Sequence, residues 1–144
     1  MGELTLPEQG LVYLDSNAII YSVEKVPEYW PKLKPVWQAS AEGRLKLVTS
    51  ELAILESLVL PMRLGNAGLI ADYEEVFHSQ EVELVPITAN ILREAASMRA
   101  KHKAKTPDSI HLATALSIQC KLCLTNDLDF RRVPNVPVAI LSQL

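Results

Sequence analysis

Three features of the 144-residue chain predict an α/β fold with a mainly parallel sheet and helices on both faces. Short, continuous apolar runs alternate with longer helical stretches. The runs are strand-sized, as in LVYL at 11–14 and LKLVTS at 45–50, and read as buried strands. Helix-start residues, Ser or Thr with proline close by, follow the runs at once.

The elements follow in order along the sequence. LVYL is the first strand, and Ser16 is placed to cap a helix through SNAIIYSVE. Pro27, Pro31 and Pro35 punctuate the next stretch, so a second helix is expected only from about Pro35 to Glu42, with Gly43 beyond its end. LKLVTS is the second strand. Ser50 then caps a helix through ELAILESLVL that Pro61 and Gly65 close, and NAGLIADYEEVFHS reads as helical. VELVPI, 82–87, is the third strand, and Thr88 caps a helix over about 89–103. Thr106 as cap with Pro107 at the first helical position opens DSIHLATALSIQC. KLCLT, 121–125, is the fourth strand and VPVAIL the fifth.

Composition bounds the function. A hydrophobic fraction of 49% suits one globular domain spanning 1–144 that builds its own core. The net charge of −3 gives no overall attraction to nucleic acid, so any phosphate contact has to come from a local basic patch. Cys120 and Cys123 are too few for a zinc site of four ligands, and they sit at a helix end rather than at the helix start that activates a redox pair; they read as buried, reduced thiols. The opening MGELTLPEQG lacks the basic and apolar regions of a secretory signal, and no apolar run reaches membrane-span length. A cytoplasmic protein is expected.

In parallel α/β sheets, sites form beyond the carboxyl ends of the strands. Asp15 follows the first strand directly and Asp127 lies just past the fourth, in TNDLDF. Asp108 opens a helix, and Glu56 stands inside the apolar stretch LAILESLVL, where a charge is unwelcome unless it is paired or coordinating. Singly, Asp15 also reads as a helix cap, Asp108 as a first-turn acid favoured by the helix dipole, and Asp127 as a turn residue. Together, four carboxylates without a companion histidine ligand suit a hard cation, Mg²⁺ or Mn²⁺, which takes oxygen ligands. Such a cation activates water and stabilises the charge that grows on a phosphodiester.

With these segments in place, the sequence resembles the PIN-domain family, and within it the VapC-like toxins of type II toxin–antitoxin pairs. The resemblance is carried by VYLDSNAIIY, VTSELAILES, TPDSIHLATAL and LTNDLDFRRVP, in the family's order over almost the whole chain. It implies a three-layer α/β/α sandwich and a Mg²⁺- or Mn²⁺-dependent endoribonuclease. The family's first three acidic positions match Asp15, Glu56 and Asp108. The fourth is offered by Asp127, or by Asp129 as second choice. Asn17 and Thr125 match polar positions that support the metal ligands. His111, one turn after Asp108, reads as a packed histidine or as a substrate contact. The resemblance also implies an antitoxin partner and a homodimer.

A haloacid-dehalogenase-like phosphatase would need a second Asp where Asn17 stands, and a receiver domain would place its phosphoacceptor after a middle strand. A non-catalytic PIN-like domain that binds RNA or a partner is the remaining alternative. For RNA, the expected contacts are Lys103, Lys105 and Arg131, with Arg99, Lys101, His102 and Arg132 beside them; the lysines also read as a solvated helix end. For a partner, Tyr29, Trp30, Leu33, Val36 and Trp37, with Leu52, Leu55, Leu58, Val59 and Met62, exceed what two helices need against one sheet. An exposed apolar surface or a filled core accounts for them.

Overall fold

In the computed structural model, which describes residues 4–144, the first strand β1 (Gly10–Leu14) lies at the centre of a five-stranded sheet. The chain continues through α1 (Ser16–Val23), α2 (Trp30–Ala41), β2 (Leu45–Ser50), α3 (Leu52–Leu64), α4 (Ala67–His78) and β3 (Val82–Val85). It then crosses back by α5 (Ala89–His102) and α6 (Thr106–Ser117) to β4 (Leu122–Thr125) and β5 (Val138–Ile140). The order is β3-β2-β1-β4-β5, and every pairing is parallel. The direction of winding reverses between β1 and β4, so a crevice is expected beyond their carboxyl ends.

Side chains that alternate along β1 build the two cores. Val12 and Leu14 pack with residues of α1 to α4, among them Ile19, Leu33, Leu58 and Tyr73. Tyr13 faces the other way, into a core made with Ile91 and Met98 of α5, Leu112 of α6, and Phe130. The result is the expected three-layer α/β/α sandwich.

Several local expectations are corrected. The second helix begins at Trp30, not Pro35; Pro31 lies in its first turn and Pro35 inside it. Burying Leu33, Val36 and Ala39 against the sheet outweighs the backbone hydrogen bond that Pro35 forfeits. α3 likewise runs through Pro61 and ends at Gly65, whose φ of 64° is the left-handed turn that glycine adopts without strain. Asp15, not Ser16, caps α1, and Thr106 is the first residue of α6 rather than its cap, with Pro107 second. Ser50 is the last residue of β2 and Glu51, not Ser50, takes the cap position of α3, although the Ser50 hydroxyl accepts from the Leu52 amide at 3.1 Å. Thr88 keeps its expected role as cap of α5, its hydroxyl accepting from the Ile91 amide at 3.2 Å.

Both cysteines are buried and free, and burial pushes the Cys120 thiol up to about 11, which keeps it protonated and unreactive. Among the described residues no helix is long and apolar enough to cross a membrane. The surplus apolar residues divide by helix. On α2, Leu33 and Val36 fill the core, with Trp30 and Trp37 packed against it. On α3, Leu58 is buried, whereas Leu55, Val59 and Met62 stand 61%, 43% and 57% exposed.

Candidate metal centre

The crevice at the switch point is organised by Asp15, the first residue past β1. Its Oδ1 accepts from the Ala18 amide at 2.9 Å, which starts α1, and its Oδ2 accepts from the hydroxyl of Thr125, the last residue of β4. Asp15 is only 4% exposed. Burial raises the pKa of its carboxyl, partly offset by the Thr125 and Ala18 hydrogen bonds and by His111. The Thr125 hydroxyl also accepts from the Asp127 amide at 3.0 Å, so one side chain fixes the acid after β1 and the turn carrying the acid after β4.

Asp108 enters from the first turn of α6. Carboxylate oxygens of Asp108, Asp127 and Asp129 all lie within 4.8 Å of one another. Asp108 Oδ2 is buried and has no hydrogen-bond partner among the described residues. Burial and the facing Asp127 carboxyl push Asp108 up to about 7, against the pull of His111 and Lys105. Two carboxylates without a donor between them need either a shared proton or a cation. The donor set is oxygen only and doubly acidic, which fits a hard divalent cation.

Asp129 is engaged elsewhere, ion-paired with Arg132 at 3.2 Å. Arg132 also reaches toward the Lys103 carbonyl at 3.5 Å. A cleft of about 170 Å³ is lined by Asp15, Asn17, Glu56, Asp108 and Asp127, but not by Asp129. Thus the acids after β1 and β4 and those on α3 and α6 meet on one cleft, with the exposed Asn17 at its edge. A larger groove of about 610 Å³ beside Trp30 and Trp37 contains none of these acids, so volume does not locate the chemistry.

Glu56 projects from α3 into the same cleft. Its Oε1 accepts from the Ser16 hydroxyl at 2.6 Å and lies 2.7 Å from His111 Nε2. Burial alone would raise its pKa, but the His111 and Ser16 hydrogen bonds and the charge of His111 outweigh it, and the carboxyl is held below its ordinary value. The His111 ring is anchored behind by the Tyr13 hydroxyl, 2.6 Å from Nδ1. The expectation of a packed histidine is right about burial, at 3% exposure, but the packing is polar. Sequence reasoning gave Tyr13 no role and took Ser16 only for a helix cap. The available signal was spacing: His111 lies three residues after Asp108, on the same face of one helix.

Of the basic residues, Lys103, Lys105 and Arg131 are all exposed. Lys105 lies close enough to Asp108 to favour its charged form. Arg132, rather than Arg131, is the arginine that touches the acidic cluster.

The family model described as PIN domain matches residues 12–136. No curated protein sequence matches the chain significantly. Among solved structures, VapBC2 from Rickettsia felis bound to a promoter DNA fragment is similar with a TM-score of 0.70 and 15% identity, covering 90% of this chain and 98% of that one. A toxin–antitoxin complex from Klebsiella pneumoniae gives a TM-score of 0.66 and 20% identity, covering 89% and 95%. DNA-bound VapBC from Salmonella typhimurium gives 0.61 and 15%, covering 90% and 97%.

Proposed function

Since the chain belongs to the PIN-domain family, we propose that it is a metal-dependent endoribonuclease and the toxin of a type II toxin–antitoxin pair. The observation that carries this reading is Asp108 Oδ2, buried without a partner against Asp127 in a cleft that Asp15 and Glu56 also line. Asp15, Asp108 and Asp127 would hold Mg²⁺ or Mn²⁺ with help from Glu56, and Asp129 is the second choice for the fourth acid. The cation supplies activation of water near neutral pH and neutralisation of charge on the phosphodiester.

The protein's own groups do the rest. Thr125 fixes Asp15, and Asn17 stands at the cleft edge toward the substrate. Glu56, its carboxyl favoured in the charged form, would hold the cation directly or through a water, or help orient the attacking water. Cleavage leaves a 3′-hydroxyl and a 5′-phosphate. RNA is held by Lys103, Lys105 and Arg131, whose local charge acts despite the overall −3. The whole chain, 1–144, acts as one nuclease domain in the cytoplasm. It forms a homodimer and is restrained by an antitoxin; the toxin–antitoxin complexes among its structural neighbours support the latter.

The rival, a PIN-like domain that binds RNA or a partner without cutting, has no use for four acids on one cleft and needs a shared proton between Asp108 and Asp127. Incubating the purified protein with RNA, with and without Mn²⁺, separates the two. Cleavage that needs Mn²⁺ and disappears in Asp108→Asn supports the nuclease. Full cleavage in excess EDTA, or none in any divalent cation, overturns it.

A further inference from the structure

The chain Tyr13–His111–Glu56 ends in the cleft, and His111 is held in it at both ring nitrogens. Tyr13 is fully buried, and its hydroxyl lies 2.6 Å from His111 Nδ1. On the other side of the ring, Nε2 lies 2.7 Å from Glu56 Oε1 and 3.0 Å from the Ser16 hydroxyl; a carboxylate oxygen can only accept, so Nε2 carries a proton and donates to it. Ser16 adds a second donor to the same oxygen at 2.6 Å. Among the described residues, none donates to Oε2, the other oxygen of Glu56, although Glu56 lines the cleft. A glutamate on a helix ordinarily samples several rotamers, and ordering it costs free energy. Here that ordering is already complete, imposed by an imidazole that is itself locked from behind.

We propose that His111 is a positioning residue: it pins Glu56 by Oε1 so that Oε2 remains free to serve the cation site. The assignment rests on the reading of the cleft as a metal centre. It makes α6 supply both an acid of the site, Asp108, and, one turn later, the group that orients a second acid on α3. His111 touches neither substrate nor metal in this role. A histidine that merely filled the space beside Phe130 would have no dependence on Glu56.

The test is a calorimetric titration of the full-length protein with Mn²⁺, paired with melting curves in the absence of metal. His111→Asn keeps a polar group near Nδ1 but cannot reach Glu56, and Mn²⁺ affinity should fall about tenfold, the size found for groups that orient metal ligands. His111→Gln places an amide nitrogen near the position of Nε2 and should recover most of that affinity. In a Glu56→Ala background His111→Asn should cost nothing further, because the residue acts through Glu56. Tyr13→Phe, which deletes a single hydroxyl, should give a smaller loss that also vanishes in the Glu56→Ala background, and it serves if His111→Asn does not fold. Additive losses for the His111 and Glu56 changes, or equal losses for the Asn and Gln variants, overturn the assignment. Absence of Mn²⁺ binding by the wild-type protein would remove the metal centre itself, a failure visible before any variant is made.

Discussion

Thr125 donates its hydroxyl to Asp15 Oδ2 and accepts from the Asp127 amide at 3.0 Å, joining the two central strands of the sheet at the point where their acids emerge. The hydroxyl is buried, so its loss leaves a carboxylate oxygen and an amide short of partners. Thr125→Val should therefore destabilise the metal-free protein by about 1–3 kcal/mol, whereas Thr125→Ser should recover most of the loss. Urea denaturation with unchanged slope checks this. A Val variant as stable as wild type would mean that the hydroxyl orients nothing.

Asp108 sets a pH dependence of definite sign. Its folded pKa of about 7 lies above the ordinary 3.8, so between those values the folded state holds more protons than the unfolded state. The contribution of Asp108 to stability is greatest below the lower value and falls as pH rises through about 7. Asp15 shifts in the same direction; Glu56 shifts oppositely and loses its contribution as pH drops. Melting of the metal-free protein should thus fall from pH 5.5 to pH 8, and Asp108→Asn should flatten that fall. Mn²⁺ should raise the pH 8 melting point of the wild type only. Titration in buffers of different ionisation enthalpy should also show proton release on Mn²⁺ binding near pH 7.

Much of this site was legible because the acids obey a positional rule. Asp15 and Asp127 follow central strands, and Asp108 opens a helix, so strand–helix alternation alone points them to one sheet edge. Glu56 announced itself as a charge in an apolar run. What the sequence could not show is which polar groups meet. Ser16 is as plausible a cap as Asp15 by residue type, and only the fold brings Ser16 within 2.6 Å of Glu56, forty positions away. Tyr13 looks like any buried aromatic in a strand until His111, ninety-eight positions on, is placed behind it. The prolines misled for a related reason: Pro35 breaks a local rule that burial of Leu33 and Val36 overrides.

Asp127 and Asp129 should differ in their effect on the metal. Both lie within the acidic cluster, but Asp127 lines the cleft while Asp129 is paired with Arg132. Asp127→Ala should lower Mn²⁺ affinity more than Asp129→Ala. An ion pair at a partly exposed position is worth little, at most about 1 kcal/mol, so Asp129→Ala should also melt close to wild type. A larger loss of affinity for Asp129→Ala would exchange the two roles.

Lys103 and Lys105 flank the start of the helix that carries Asp108, and both are exposed. Replacing them with alanine should weaken RNA binding and flatten the dependence of log affinity on log salt, by close to one phosphate contact for each lysine engaged. The protein's melting point should stay unchanged. Adding Arg131→Ala should extend the trend. An unchanged salt slope would leave the lysines as a solvated helix end.

The exposed side chains of α3 lead to the remaining prediction. Leu55, Val59 and Met62 recur at helical spacing, and together they make a stripe opposite the buried Ala53, Ser57 and Pro61. A stripe of this kind has no role in the folded monomer, so surface substitutions there should change stability by no more than about 0.5 kcal/mol. If it serves the homodimer or receives an apolar antitoxin segment, Leu55→Lys with Met62→Lys should disrupt assembly while leaving the fold and the cleft intact. Light scattering of the wild type and the double variant measures the first possibility, since a dimer that becomes a monomer locates the interface on α3. Co-expression with any short reading frame that adjoins the gene, as the candidate antitoxin, measures the second. Wild-type protein should co-purify with it and lose nuclease activity, and the double variant should escape both. A double variant that still dimerises and still binds the antitoxin would move both contacts to another face of the molecule.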